Sequence, residues 1–148
     1  MRVSTRVEYG LVALTDIAIH CADGSSVSTS DISERQNISQ KYLEQILPLL
    51  RQAGLVKAQK GIRGGYTLSH PVDKILLSDI LNALDNSILA QMETDDSVED
   101  GGLRPAINDC LWGKINDHLR RFAESMTFGD FISQCRNRTS DEWSMYVI

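Results

Sequence analysis

Residues 39–68, SQKYLEQILPLLRQAGLVKAQKGIRGGYTL, set out a helix, a glycine stop and two short strands around a turn containing glycine and arginine. Tyr42, Leu43, Ile46, Leu47, Leu49 and Leu50 recur at helical spacing, and Ser39 stands where an N-cap oxygen is needed. Gly54 falls where a helix C-terminus calls for a left-handed residue. Leu55-Val56 and Tyr66-Thr67-Leu68 are β-favouring pieces, split by Gly61, Gly64 and Gly65. The other helix positions (Gln40, Lys41, Glu44, Gln45, Arg51 and Gln52) carry amides, a carboxylate and cations, and Lys57, Lys60 and Arg63 surround the turn. Such a helix can lie in a DNA major groove while the cationic hairpin tip reaches phosphates or the minor groove. An ordinary amphipathic helix followed by a glycine-rich hairpin shows the same pattern, so the neighbouring segments decide.

On the N-terminal side, Ser28 can cap a short helix running to about Gln36, with Asp31 completing a capping box. Asn37-Ile38 then form a tight turn into Ser39. Two short helices joined this way are a helix-turn-helix, and the following hairpin makes the winged form. Residues 4–22 read as one more helix, capped by Ser4 or Thr5, with Val7, Leu11, Leu14, Ile17, Ala18 and Cys21 near one face. His20 and Cys21 are adjacent, hence about 100° apart on a helix, which disfavours a Cys–His catalytic pair and leaves a core-facing Cys beside a surface His. A phosphate-cradling loop at GIRGGY is excluded because no Lys-Ser/Thr follows the last glycine. After His70-Pro71, Ile75 to Leu84 reads as a short helix with Ser78 as its cap.

The second half has a different character. Met92 to Gly102 holds five acidic residues and ends in Gly-Gly, an exposed loop without the spacing of an EF-hand. Arg104-Pro105 precede a longer helix, about Ala106 to Ser125, where Ile107, Leu111, Ile115, His118, Leu119, Phe122 and Met126 recur every fourth residue or so and Trp112 lies close by. One long apolar stripe beside a small DNA-binding head is expected to pack on a symmetry mate. Thr127 caps a last helix, Phe128 to Cys135, and a polar tether from Arg136 ends in Trp143-Ser144-Met145-Tyr146-Val147-Ile148. That apolar end either folds back on the body or serves as a peptide ligand for another protein. The resulting division is 1–86 for the DNA-binding head, 87–105 for the acidic flexible loop, 106–135 for the dimerisation and final helices, and 136–148 for the tail.

Composition sets outer limits. The 148 residues are 42% hydrophobic and 24% charged, ordinary for a globular chain. The net charge of -5 is unevenly shared: residues 1–75 hold nine Lys/Arg and seven Asp/Glu, residues 76–148 six and thirteen. DNA responds to the local face, so the acidic second half is compatible with binding by the first. No apolar run approaches the roughly 20 residues of a membrane span, and the N-terminus lacks a signal-peptide core, so a cytoplasmic protein without a membrane partner is expected. Cys21, Cys110 and Cys135 are odd in number and widely spaced, which argues against a disulfide framework. No acid–base pair, partnered nucleophile or metal cluster occurs at usable spacing, so neither an enzyme nor a metal site is expected.

The run DISERQNISQKYLEQILPLLRQAGLVKAQKGIRGGYTL, residues 31–68, closely resembles the winged helix-turn-helix of the Rrf2 family of bacterial transcription regulators. The likeness extends to the N-terminal helix, to LLSDILNALD and to CLWGKINDHLRRFAESMTFGDFI, covering nearly the whole chain outside the 88–105 loop. It implies a mainly α fold with a small β-wing: a winged helix-turn-helix DNA-binding domain plus a long dimerisation helix. The homodimer would bind a palindromic operator in double-stranded DNA. DNA-contacting positions carried over are Ser39, Lys41, Tyr42, Glu44, Gln45 and Arg51 on the helix, with Lys60, Arg63 and Gly64 in the wing. Dimerisation positions are Ile107, Leu111, Trp112, Ile115, Leu119 and Phe122. Cluster-binding members place three cysteines in the loop before the dimerisation helix. The corresponding Met92 to Asp109 has none, Asp109 stands about where a further ligand would be, and Cys110 alone cannot hold a cluster. No cofactor is therefore expected. The resemblance is functionally closer to the cluster-free CymR type, repressors of cysteine metabolism whose short aromatic-aliphatic tail closes with Ile. By that likeness Met145, Tyr146, Val147 and Ile148 would bind O-acetylserine sulfhydrylase (cysteine synthase), an apolar side chain beside a carboxylate mimicking an amino-acid substrate. The same family also allows a redox, small-effector or iron–sulfur-cluster signal received through another site.

Overall fold

The computed structural model describes residues 2–62, 64–91 and 101–139. Helix α1 (Thr5–His20) opens at Ser4, whose hydroxyl accepts from the Val7 amide at 3.3 Å. Helix α2 (Thr29–Gln36) opens on a complete capping box: the Ser28 hydroxyl accepts from the Asp31 amide at 3.0 Å, and the Asp31 carboxylate accepts from the Ser28 amide at 3.2 Å. Asn37 leaves α2 in the left-handed region at φ 54°, and Ile38 drops into the core. Ser39 then caps α3 (Gln40–Gln52), accepting from the Tyr42 amide at 3.1 Å. At the other end of α3, Gly54 sits at φ 76°; its amide bonds to the Arg51 carbonyl, and the Leu55 amide reaches back to Leu50, both at 3.0 Å. This double closure satisfies the last carbonyls and turns the chain sharply into the hairpin.

Strands β1 (Val56–Gln59) and β2 (Gly65–Leu68) pair antiparallel, with Val56 opposite Leu68 and Gln59 opposite Gly65. Val27, between α1 and α2, adds a third rung by exchanging backbone bonds of 2.9 and 2.7 Å with Tyr66. Gly65 permits that approach, since a Cβ there would stand 2.6 Å from the Val27 carbonyl oxygen. The hairpin is thus seated against the entrance to the helix-turn-helix as well as tethered to its end.

A 3-10 turn (Val72–Lys74) leads to helix α4 (Leu77–Leu84), which begins later than the sequence pattern implied. Ser78 does not cap it. Ser78 is buried inside the first turn, and the Asp79 carboxylate accepts from the Leu76 amide at 3.0 Å. The cause is tertiary: Leu76 bridges Thr127, the Leu77 amide bonds to the Met126 carbonyl at 3.0 Å, and the Phe128 amide to the Ile75 carbonyl at 2.7 Å. Ile75 is consequently extended and buried rather than helical.

The second-half rod starts earlier than Ala106. It comprises α5 (Leu103–Ile107), a π turn (Asn108–Trp112) and α6 (Gly113–Ser125). Pro105 is accommodated because it lies in the first turn, where its missing N–H costs nothing. Met126 falls beyond the helix end, and His118 is exposed. Thr127 caps α7 (Phe128–Arg138), accepting from the Asp130 amide at 3.0 Å, and the helix continues three residues past Cys135. The proposed loop is anchored at its start: Leu89 is buried, and its carbonyl accepts from Arg120 at 2.8 Å. Residues 92–100 lie outside the described residues.

One core joins both halves. Leu14, Ile17, Ile32, Leu43, Ile46, Leu47, Leu50 and Ile80 share it with Ala123, Phe128 and Ile132. The fold is mainly helical with a two-stranded wing. Among the described residues, no helix is long and apolar enough to cross a membrane.

Candidate nucleic-acid interface

Helix α3 is sharply two-sided. Leu43, Ile46, Leu47 and Leu50 are buried, while Lys41, Glu44, Gln45, Pro48, Arg51 and Gln52 are exposed. At 100° per residue the exposed set forms one continuous face of polar heads around Pro48. Pro48 lacks the N–H that would bond to the Glu44 carbonyl, leaving an acceptor on that same face. Tyr42 sits at its border, half-buried, with its ring edge-on to Tyr9 at 5.5 Å and 84°. Ser39 holds the N-terminus as a cap while remaining exposed. Burial of the apolar face presses α3 onto the core, and what remains outward is the donor and acceptor set a major groove can read.

The orientation of the two helices rests on a group that the sequence pattern did not flag. Asp16 is buried in the C-terminal half of α1, its side chain without solvent contact. Its carboxylate accepts from Arg35 through Nε at 3.0 Å and Nη2 at 2.8 Å, and from Gln36 Nε2 at 2.8 Å. The His20 ring lies 3.6 Å from the same carboxylate, with Nδ1 2.9 Å from the Asp16 carbonyl. Hydrogen bonding to Asp16 raises the pKa of the Arg35 guanidinium against the opposing effect of its burial, so Arg35 stays charged. A fork-to-fork pair of this kind fixes angle as well as distance. It pins α2 across α1, and through the Asn37-Ile38 turn it sets where α3 begins. An Asp within an otherwise apolar stretch of helix was the only available signal.

The wing continues from α3 without slack. Lys57 and Lys60 are exposed, and Gly64 closes the tip by donating to the Gly61 carbonyl at 2.9 Å. Arg63 lies outside the described residues. The surface so assembled is an exposed polar helix face beside a protruding cationic hairpin. The "Rrf2: Iron-dependent Transcriptional regulator" family model matches residues 3–134, the head and the rod together. The chain belongs to the Rrf2 family. Such regulators bind DNA and are not enzymes, so this chain is a DNA-binding transcription regulator.

Individual relatives agree with the Rrf2 assignment. The HTH-type transcriptional regulator IscR of Cereibacter sphaeroides is 37% identical over 136 residues, covering 89% of this chain and 87% of that protein. IscR of Photobacterium profundum is 35% identical over 132 residues, covering 89% and 76%. Among solved structures, CymR, the global cysteine regulator of B. subtilis, superposes with a TM-score of 0.75 at 33% identity, covering 90% of this chain and 98% of that one. IscR of T. potens gives 0.73 at 31%, covering 93% and 90%.

The iron in the family description can be tested against the donors present. Cys21 follows α1 and packs half-buried against the core, Cys110 is exposed in the π turn, and Cys135 lies in α7. Among the described residues, no three His, Cys, Asp or Glu gather where they could hold a metal ion, and residues 92–100 add carboxylates but no thiol. Three thiols on three separate elements do not fit an iron–sulfur cluster.

The rod carries the remaining predicted set. Ile107, Leu111, Trp112, Ile115 and Phe122 are exposed, together with Leu103. Leu119 differs: it is half-buried and packs against the chain's own core. Met145, Tyr146, Val147 and Ile148 lie outside the described residues.

Proposed function

We propose that this protein is a homodimeric, cluster-free repressor that binds a palindromic operator, regulates sulfur or cysteine genes and receives its signal through cysteine synthase. The two-sided α3 carries the DNA-reading part. Lys41, Glu44 and Gln45 would face base edges, Glu44 accepting from a cytosine amino group and Gln45 pairing with adenine; Ser39, Tyr42 and Arg51 would hold phosphates. Lys60, Arg63 and Gly64 would place the wing on the backbone or in the narrow minor groove. The exposed stripe from Ile107 to Phe122 would bury itself against a second copy, since an apolar patch of this kind marks an association surface. Two recognition helices would then meet successive major grooves about one helical turn apart.

The cysteine reading draws on the likeness to CymR and on the apolar run Met145-Tyr146-Val147-Ile148. The test is calorimetric titration with O-acetylserine sulfhydrylase, comparing the full chain with one lacking Tyr146-Val147-Ile148. Binding abolished by the truncation supports the partner; equal binding, or none in either form, removes it. The names of the IscR relatives favour a second reading, an iron-responsive regulator, for which near-stoichiometric iron and sulfide after anaerobic purification would be the sign.

A further inference from the structure

The wing tip carries a side chain that neither the fold nor the cationic contacts use. Gly61, at φ 128°, and Gly64 close a four-residue turn through their 2.9 Å backbone bond. A Cβ on Gly64 would stand 2.9 Å from the carbonyl oxygens of both Gln59 and Gly61, so the turn admits no bulk at its base. Its first central residue is Ile62. It is fully exposed, more so than any other exposed large apolar residue among those described. Turns of this kind ordinarily carry Asn, Asp, Ser, Gly or Pro, which solvate well. The rod's exposed residues form a stripe that a second copy can cover; Ile62 stands apart from them, on the hairpin with Lys60 and beside Arg63 in sequence.

Resting on the DNA-binding reading above, we propose that Ile62 is a specificity residue that seats in the minor groove and selects A·T over G·C beneath the wing. The floor of that groove is smooth at A·T, which shows only acceptors, whereas G·C raises the guanine 2-amino group. An isoleucine packed between the sugar walls gains by burying apolar surface, and it gains most where no amino group forces polar desolvation. Ile62 carries no charge and releases no counterions. Its contribution is therefore independent of salt, unlike that of the neighbouring cations.

Inosine·cytosine pairs separate this from every major-groove effect, since they present the major-groove face of G·C without the minor-groove amino group. A duplex enriched from a random pool by the wild-type protein is altered one pair at a time, to G·C and then to I·C, and affinities are measured at two salt concentrations. At the wing's pair, G·C should cost the wild type about tenfold, the scale of most of a buried isoleucine side chain, and I·C should restore binding. Ile62→Ser, whose melting temperature should match the wild type, should bind the three duplexes within about threefold and keep the wild-type salt slope. An Ile62→Ser protein with the full G·C penalty would overturn the proposal, as would I·C binding as poorly as G·C. Failure of the wild type to enrich any duplex would instead sink the DNA-binding reading, and this inference with it.

Discussion

Arg35→Ala removes the cation from a carboxylate that has no contact with solvent, and its cost can be worked from the geometry. Asp16 would keep the Gln36 bond at 2.8 Å and lose two bonds from Arg35 at 2.8 and 3.0 Å. Stripping one partner from a buried ion pair costs about 3–5 kcal/mol, most of it the penalty of the charge left behind. The Arg35 side chain is 33% exposed, so its deletion opens a route for water to Asp16, and about 2–3 kcal/mol is expected after that discount. Asp16→Ala leaves a guanidinium that can turn to solvent, so the double variant should be little worse than Asp16→Ala alone. The coupling from the double-mutant cycle should therefore be close to the Arg35→Ala cost itself, about 2–3 kcal/mol. Urea denaturation followed by circular dichroism, at one fixed protein concentration so that any association weighs equally on each variant, gives all four corners. The pair orients α2, so Arg35→Ala should also weaken operator binding measured well below its melting temperature. A coupling under about 0.5 kcal/mol, the scatter expected for independent sites, would refute the idea that this pair locks α1 to α2.

Gly65→Ala forces a Cβ to within 2.6 Å of the Val27 backbone; it should cost about 1–3 kcal/mol, the range for overpacking, and release the Val27–Tyr66 bonds, seen as faster amide exchange at both. Lys60→Ala, and Arg63→Ala likewise, should weaken binding to all DNA sequences alike and reduce the salt slope by about one for each phosphate no longer neutralised; weakening confined to the operator would contradict a phosphate role. The Asp31 carboxylate is held below its usual range by the Ser28 hydroxyl and amide. Its stabilisation is therefore present above the unfolded carboxylate value near 3.9 and disappears as pH falls through the lower folded one. Asp31→Asn should thus cost about 0.5 kcal/mol at pH 7 and progressively less as the pH is lowered below the usual carboxylate range, by thermal melts across that range. Ile115→Asp should yield monomers in light scattering with the monomer fold retained, because that side chain lies outside the core.

Local chemistry made much of this protein legible as a string of letters. Ser28 with Asp31, Ser39, Gly54 and Thr127 each act through neighbours three or four residues away, so the starts of α2, α3 and α7 and the end of α3 could be read with no knowledge of the fold. The same holds for the two faces of α3, because helical periodicity sorts Leu43, Ile46, Leu47 and Leu50 from Lys41, Glu44 and Gln45. Where the deciding partner is distant in sequence, the string is silent or misleading. Ser78 has the look of a cap, but the Met126 carbonyl and Thr127, some fifty residues on, draw Ile75 and Leu76 into an extended path. Leu119 belongs to the rod's apolar stripe, yet α6 rests on α4 and takes it into the core. Asp16 looks out of place in an apolar helix until Arg35 and Gln36 arrive from α2. Sequence alone determined which segments are helices, which hairpin follows them and which polar face is left over. Only the tertiary structure decided how α2 lies across α1, how the wing seats on Val27 and that Ile62 stands clear at its tip, because those depend on contacts between residues the chain itself keeps far apart.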